Sequence, residues 1–357
     1  MHGRFEARRM LAVSDNAVME QRVLRVTLAD GTGLSYALEG DGPPLVYVTG
    51  WLTHLELSWG LPAERSFYET LAQGRCLVRY DRAGCGLSAP STRPPSLAFE
   101  LEQLAAVSST LAAAPFDLVG TSLGALVAVA WAAMYPETVR RLVLYGGWAN
   151  GRDLSPPGVQ NHLLGLIESH WGLGSDVLTD IFAADSDMAM RGAFARYQRE
   201  ASSAATAKAL LALSYELDVR DLLAKVRAPT LVVHRANDRA APLAQAEVLA
   251  DGITGSQLVV LPGRSHLPYV GDRVELVKVI RQFLGLRASR RSASVLTPRQ
   301  REVAALVSRG CTNREIAVLL GINERSAEGH VERIRMRLGV ATRTQVAAWF
   351  LNHRDEQ

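Results

Sequence analysis

Through its first 286 residues the chain alternates short β-branched runs with longer segments in which apolar positions recur every three or four residues. QRVLRVTLADGTGLSYALEG reads as an opening hairpin that turns at Asp30-Gly31. PPLVYVTG, RCLVRYD, FDLVG, RRLVLYGG, PTLVVHR and QLVVLPG read as buried strands, too short and too β-branched for helices. Helical periodicity falls between them, over 64–73, 97–113, 123–135, 243–250 and 274–284. This alternation predicts a mainly parallel sheet with helices on both faces. From Trp148 to Ala228 the periodicity is helical with no convincing strand, so a helical cap is expected over about 148–228. Residues 1–21 form an N-terminal extension, 22–286 a large α/β domain, and the polar, basic RASRRSASV at 287–295 a linker. Beyond it, over 296–357, the pattern is purely helical and predicts a small all-α domain.

Composition adds a charge asymmetry. Hydrophobic residues make up 48% and charged residues 21%, enough for a sizeable core and too apolar for extensive disorder. The stated net charge of +3 divides unevenly: residues 287–357 carry 13 Lys and Arg against 7 Asp and Glu, so the tail is basic and suited to a polyanion. Cys76, Cys85 and Cys311 form no CxxC or CxxxH spacing, which argues against a disulfide framework and a zinc site; no metal and no cofactor are expected. The N-terminus lacks the apolar core of a signal peptide, and the longest apolar run, 123–134, is too short to span a bilayer. Neither export nor membrane insertion is expected, and the location is read as cytoplasmic.

The chemistry-bearing pattern is Gly120-Thr121-Ser122-Leu123-Gly124, between a buried strand and an Ala-rich helix. That is the context of a nucleophile elbow, where the serine backbone is strained and flanking glycines leave it room. A serine hydroxyl is a poor nucleophile without a base and an orienting acid. Both occur downstream in loops after strands: Asp238 in LVVHRANDRAAP and His266 in LVVLPGRSHLPYV. The expected catalytic set is Ser122, His266 and Asp238, with oxyanion donors at the backbone N–H groups of Leu123 and Trp51. Gly50, His54 and Trp148 are expected to line the ligand pocket. With YDRAGCGLS, these pieces resemble the α/β-hydrolase fold superfamily over roughly residues 22–286. The chain departs from many members by carrying Thr49-Gly50 where they have His-Gly. GWLTHLELSW also resembles hydrolase-like domains joined to bacterial signalling modules.

In the tail, Thr297 caps a helix with Pro298 at its first position, and Gly310 ends it. A scaffold helix spans 312–320, Gly321 turns the chain, and Asn323 caps a further helix whose Ala327, Val331, Ile334 and Leu338 form the buried stripe. The opposite face presents Arg325, Glu328, Gly329, Glu332, Arg333, Arg335 and Arg337 to a major groove. Residues 296–353 resemble the helix-turn-helix domain of LuxR-type transcription regulators. The resemblance implies DNA contacts at Thr312, Asn313, Arg325, Ser326, Glu328, Gly329, Glu332, Arg333 and Arg337. The basic tail and the amphipathic last helix, 342–352, whose Val346, Trp349 and Phe350 are expected to form a small symmetric contact, point to a homodimer on an inverted repeat of double-stranded DNA. The function expected from the whole is a DNA-binding regulator whose hydrolase-like domain binds, and could hydrolyse, a small ester, lactone or amide. The alternative is a serine hydrolase with an accessory DNA-binding domain.

Overall fold

The computed structural model describes residues 20–111, 115–286, 296–338, 340 and 342–352. The expected linker at 287–295 and all but the last two residues of the expected N-terminal extension lie outside the described residues. Eight strands form one sheet: β1 (Arg22–Thr27), β2 (Gly33–Glu39), β3 (Pro44–Val48), β4 (Cys76–Tyr80), β5 (Phe116–Thr121), β6 (Val139–Tyr145), β7 (Thr230–Arg235) and β8 (Gln257–Leu261). Their order is β1-β2-β4-β3-β5-β6-β7-β8; β2 pairs antiparallel with both β1 and β4, and every other pairing is parallel. Thr121 stands opposite Tyr145 and Arg235 opposite Leu261, so the carboxyl ends of β5 to β8 share one edge, where sites form in such sheets.

Four helices pack on the sheet from the segments expected to be helical: α2 (Pro62–Ala72), α3 (Leu97–Ser108), α10 (Leu243–Gly252) and α11 (Arg273–Phe283); a fifth is α4 (Leu123–Met134). In α4 every residue from Leu123 to Ala132 is buried; a helix hydrophobic all round belongs in the middle of a large core. A short helix, α1 (Leu55–Gly60), was not foreseen; His54 caps it by accepting from the Leu57 N–H at 3.3 Å. Between β6 and β7 stand five helices: α5 (Pro157–Ser169), α6 (Trp171–Phe182), α7 (Met188–Ala201), α8 (Ala204–Glu216) and α9 (Arg220–Leu223).

One strand differs from its expectation. β8 has β7 as its only neighbour, and Leu258 and Val260 are 36% and 42% exposed, so it is an edge strand and not a buried one. Its QLVVL composition matches that of the central strands, and position in the sheet, which no local run encodes, decides the burial.

The C-terminal residues form α12 (Pro298–Ser308), α13 (Asn313–Leu320), α14 (Glu324–Leu338) and α15 (Arg343–Asn352) around their own core of Leu296, Val303, Ala304, Ile316, Ala327, Ile334 and neighbours. Capping boxes at Thr297 with Gln300 and at Thr312 with Glu315 fix where α12 and α13 begin. Gly321 takes the left-handed conformation that ends α13, and Asn323 accepts from the Ser326 N–H at 2.7 Å. The expected dimer contact needs correction, because Val346 is fully buried in this core and Trp349 and Phe350 pack half-buried against it. What α15 leaves exposed includes Leu351.

Candidate active site and nucleic-acid face

Ser122 sits between β5 and α4 with φ 58° and ψ −128°; among the described residues only it and Asp185 are non-glycines at positive φ. Such a conformation costs on the order of 1–3 kcal/mol. The flanking glycines make it possible. A Cβ at Gly120 would stand 2.7 Å from the Ala125 Cα, and one at Gly124 2.5 Å from the Thr49 carbonyl oxygen, so α4 reaches the sheet only because both are bare.

Ser122 Oγ lies 2.8 Å from His266 Nε2, and His266 Nδ1 lies 2.8 Å from Asp238 Oδ2. The second Asp238 oxygen accepts from the Ala240 and Ala241 N–H groups at 2.8 and 3.2 Å, fixing the carboxylate plane. Burial pushes the Asp238 carboxyl up, but the adjacent His266, His234 and these hydrogen bonds outweigh it and hold the carboxyl below its ordinary value. Behind it His234, buried and kept neutral by desolvation, contacts the Ala241 carbonyl at 2.9 Å.

The loop carrying His266 is fastened to the last residue of α6. The Phe182 carbonyl accepts from the N–H groups of His266 and Leu267 at 2.9 and 3.2 Å and from the Ser265 hydroxyl at 3.0 Å. The Phe182 ring lies 5.7 Å from the His266 ring, centre to centre. No sequence signal pointed to Phe182, because its role is carried by a backbone carbonyl.

The Thr49-Gly50 segment is held by Arg82, a residue the sequence reading did not single out. Its buried guanidinium donates to the Glu100 carboxylate at 2.7 Å, to the Thr49 carbonyl at 2.8 Å and to the Gly50 carbonyl. That leaves the Trp51 N–H next in line. Among the described residues neither the Trp51 nor the Leu123 N–H has an acceptor. Gly50 abuts the elbow, since a Cβ there would be 3.4 Å from that of Ser122.

Two cavities meet at Ser122. One, of about 140 Å³, is apolar and roofed by the helices between β6 and β7; Trp148, Leu163, Leu178, Ile181 and Leu211 line it with Ser122 and His266. Trp148 donates from Nε1 to the Ser214 carbonyl at 3.2 Å. The other, of about 80 Å³, contains Gly50, Trp51 and His54 in its wall and runs on to polar side chains of α2 and β4. Trp51 lines both. Thus the structure brings Ser122, Asp238, His266, Trp51, Leu123, Gly50, His54 and Trp148 to one place. No group of His, Cys, Asp or Glu that could hold a metal ion occurs among the described residues.

On α14, Ala327, Val331 and Ile334 are buried, while Arg325, Glu328, Glu332, Arg333 and Arg337 are exposed together on the outer face. Arg335 and Glu332 form an ion pair at 2.8 Å, three residues apart. Thr312 accepts from the Glu315 N–H as a helix cap, and the Asn313 side chain accepts from Arg343 at 2.7 Å, so both are tied within the unit as well as lying at the start of α13. No helix among the described residues is long and apolar enough to cross a membrane.

Comparison with known proteins covers both parts. The family described as alpha/beta hydrolase fold matches residues 43–272, and the luxR family of bacterial regulatory proteins matches 294–350. Pyrrolizixenacetamide deacetylase of Xenorhabdus hominickii is 28% identical over 259 residues, 70% of this chain and 94% of the relative. A pimeloyl-acyl-carrier-protein methyl ester esterase of Chromobacterium violaceum is 26% identical over 261 residues, covering 70% and 97%. Among solved structures, an esterase from Exiguobacterium antarcticum superposes with a TM-score of 0.65 at 22% identity, over 73% of this chain and 98% of that one, a likeness of fold. The chain belongs to the α/β-hydrolase fold family and carries, after that domain, a helix-turn-helix domain of the luxR family.

Proposed function

We propose that the chain is a DNA-binding transcriptional regulator whose hydrolase domain, over 22–286, binds a small ester, lactone or amide and cleaves it at Ser122. The observation that carries the reading is the pair of 2.8 Å hydrogen bonds joining Ser122, His266 and Asp238 in the same chain as a luxR-family domain. In this reading His266 takes the Ser122 proton as Oγ attacks the carbonyl carbon, and Asp238 holds the ring with its proton on Nδ1 and stabilises the imidazolium. The N–H groups of Leu123 and Trp51 receive the oxyanion, and His266 returns its proton to the leaving group. Gly50, His54 and Trp148 shape the pocket. The domain at 296–357, joined through 287–295, binds an inverted repeat of double-stranded DNA as a homodimer in the cytoplasm, with Thr312, Asn313, Arg325, Ser326, Glu328, Gly329, Glu332, Arg333 and Arg337 at the groove.

A second reading, a serine hydrolase with an accessory DNA-binding domain, is favoured by the complete relay and by the esterase and deacetylase names of the relatives. One experiment separates them. A fluorophosphonate should label Ser122, and His266→Ala should abolish labelling. Operator binding is then followed after one dose of a hydrolysable ligand. A regulator that clears its own signal recovers in wild type and stays switched in Ser122→Ala; operator binding that ignores the ligand in both leaves the plain hydrolase.

A further inference from the structure

The smaller cavity holds polar groups for which hydrolysis at Ser122 has no use. Beyond Ser122, Gly50 and His266 it is lined by Glu64 and Tyr68 of α2, Arg79 and Tyr80 of β4, Asp81, and Tyr269 from the loop after β8. Its one guanidinium is already committed. Arg79 donates to Glu39, to Ser58 Oγ at 3.0 Å and to Gln21 Oε1 at 2.9 Å, and its plane lies 3.9 Å over the Tyr68 ring. The carboxylates are not saturated. Glu64, 5% exposed, accepts from the Tyr68 hydroxyl at 2.9 Å through Oε1, and its Oε2 has no hydrogen-bond partner among the described residues. Asp81, fully buried, accepts from the Leu55 and Leu87 N–H groups at 3.2 and 2.8 Å through Oδ2, and its Oδ1 is likewise unpartnered. Two buried carboxyl groups thus line one cavity, each with an oxygen that completes no hydrogen bond; the Tyr269 hydroxyl acts on Glu64 and the Thr53 hydroxyl on Asp81, but neither brings positive charge, and a buried carboxylate left without a charge-assisted partner is costly.

The missing partner is a donor that carries positive charge. An alcohol brings one donor and two lone pairs, which add acceptors to a site already rich in them. A carboxylate would bring a further negative charge next to Glu64 and Asp81. A primary ammonium has three donors, no acceptor and the compensating charge, and its hydrogen bonds to carboxylates are the stronger, charge-assisted kind. We propose that this chamber is a subsite for a primary ammonium group, so that the ester, lactone or amide presented to Ser122 is that of an amine-bearing small molecule. The substrate assignment rests on Ser122 being the nucleophile; the subsite itself does not.

Protonation gives the subsite a signature. Burial pushes the Glu64 carboxyl up to about 7, with Tyr68, Arg79 and Tyr269 pulling the other way. The phenols around it, Tyr68 on its own helix, Tyr47 of β3, Tyr197 of α7 and Tyr269, are all pushed above their ordinary range by burial and stay neutral near pH 7. Arg79 stays charged in its pair with Glu39, burial also raises Asp81, and His54 beside Asp81 and His266 at Ser122 face the same cavity. An ammonium selects the ionised Glu64, so its affinity rises as pH climbs through neutrality and its binding expels a proton.

The test is calorimetric titration of the full-length protein with n-butylammonium chloride, n-butanol and sodium butyrate. Titrations run on both sides of pH 7 and in two buffers of different ionisation enthalpy. Butylammonium should bind about tenfold tighter than butanol, with butyrate weakest. Its affinity should rise with pH, proton release should appear as a buffer-dependent heat, and Glu64→Gln should remove the preference and the pH dependence together. Butanol binding as tightly as butylammonium in wild type, or a flat pH profile without proton release, overturns the subsite whether or not Glu64→Gln folds. Fluorophosphonate labelling of the same sample judges Ser122 separately. Ammonium binding with an inert serine keeps the subsite and removes its hydrolytic purpose, and a reactive serine with no ammonium preference removes the subsite alone.

Discussion

Replacing Gly124 by alanine tests how far the elbow depends on close approach. The added methyl would overlap the Val48 carbonyl oxygen outright and lie 2.5 Å from the Thr49 carbonyl oxygen, against an ordinary contact beginning at 3.4 Å. These are backbone atoms of β3 and the segment after it, held between β4 and β5 and at Thr49 by Arg82. They cannot rotate away as a side chain would. Relief of the Thr49 contact alone needs 0.9 Å, from 2.5 to 3.4 Å, and the Val48 contact needs more, so the start of α4 must withdraw by about 1 Å or more. A shift of that order at Ser122 takes the 2.8 Å bond to His266 to the limit of hydrogen bonding and moves the Leu123 N–H off the oxyanion position proposed for it. Misplacement of about 1 Å costs on the order of 10²-fold in rate. Forcing a methyl into a filled core costs roughly 1–3 kcal/mol, a fall in Tm of about 2–4 °C per kcal/mol in a domain this size. The assay is the rate of fluorophosphonate labelling beside a thermal melt, with Gly192→Ala as control. Gly192 lies inside α7 with nothing within 4 Å of a Cβ, so that variant should gain roughly 0.5–1 kcal/mol from helix propensity and label normally. A Gly124→Ala protein that labels and melts like wild type would refute the claim that backbone proximity sets the elbow.

Two further outcomes are expected. In Asp238→Asn, the Ala240 and Ala241 N–H groups require the amide oxygen, so the NH₂ faces His266 and drives its proton to Nε2, where it cannot accept from Ser122; labelling should fall by about 10⁴-fold. Because the folded Asp238 carboxyl sits below its ordinary value, it contributes stability that is present above about pH 4 and is lost as pH falls through the folded value. Acid melts of wild type should lose more Tm than those of Asp238→Asn over that window. On DNA, Arg333→Ala and Arg337→Ala should each weaken binding to all sequences alike and lower the slope of log affinity against log salt by about one, measured by fluorescence anisotropy; unchanged slopes would take both off the phosphate backbone.

The relay residues stood out in the sequence because each lies beside a strand end, and a parallel sheet delivers strand ends to one edge. The strand and helix order was legible for the same reason: local periodicity tracks burial on one or both faces. What could not be read were properties assembled from distant segments. Glu64, Arg79, Asp81 and Tyr269 lie on separate elements and share no motif, so nothing in the chain marks them as the wall of one chamber. Arg82 sits inside the noted YDRAGCGLS run, yet its grip on Thr49 and Gly50 is visible only once β3 and β4 are neighbours. Val346 read as an exposed apolar position because a short helix with aromatic neighbours suits an interface as well as a core.

The three donors gathered on the Phe182 carbonyl tie the His266 loop to the roof of the apolar cavity. Any displacement of α6 would carry off the acceptor that holds the His266 backbone, so the roof of the cavity and the Ser122–His266 pair would shift together. A substitution that loosens α6 would therefore register at Ser122 although it touches none of Ser122, His266 and Asp238.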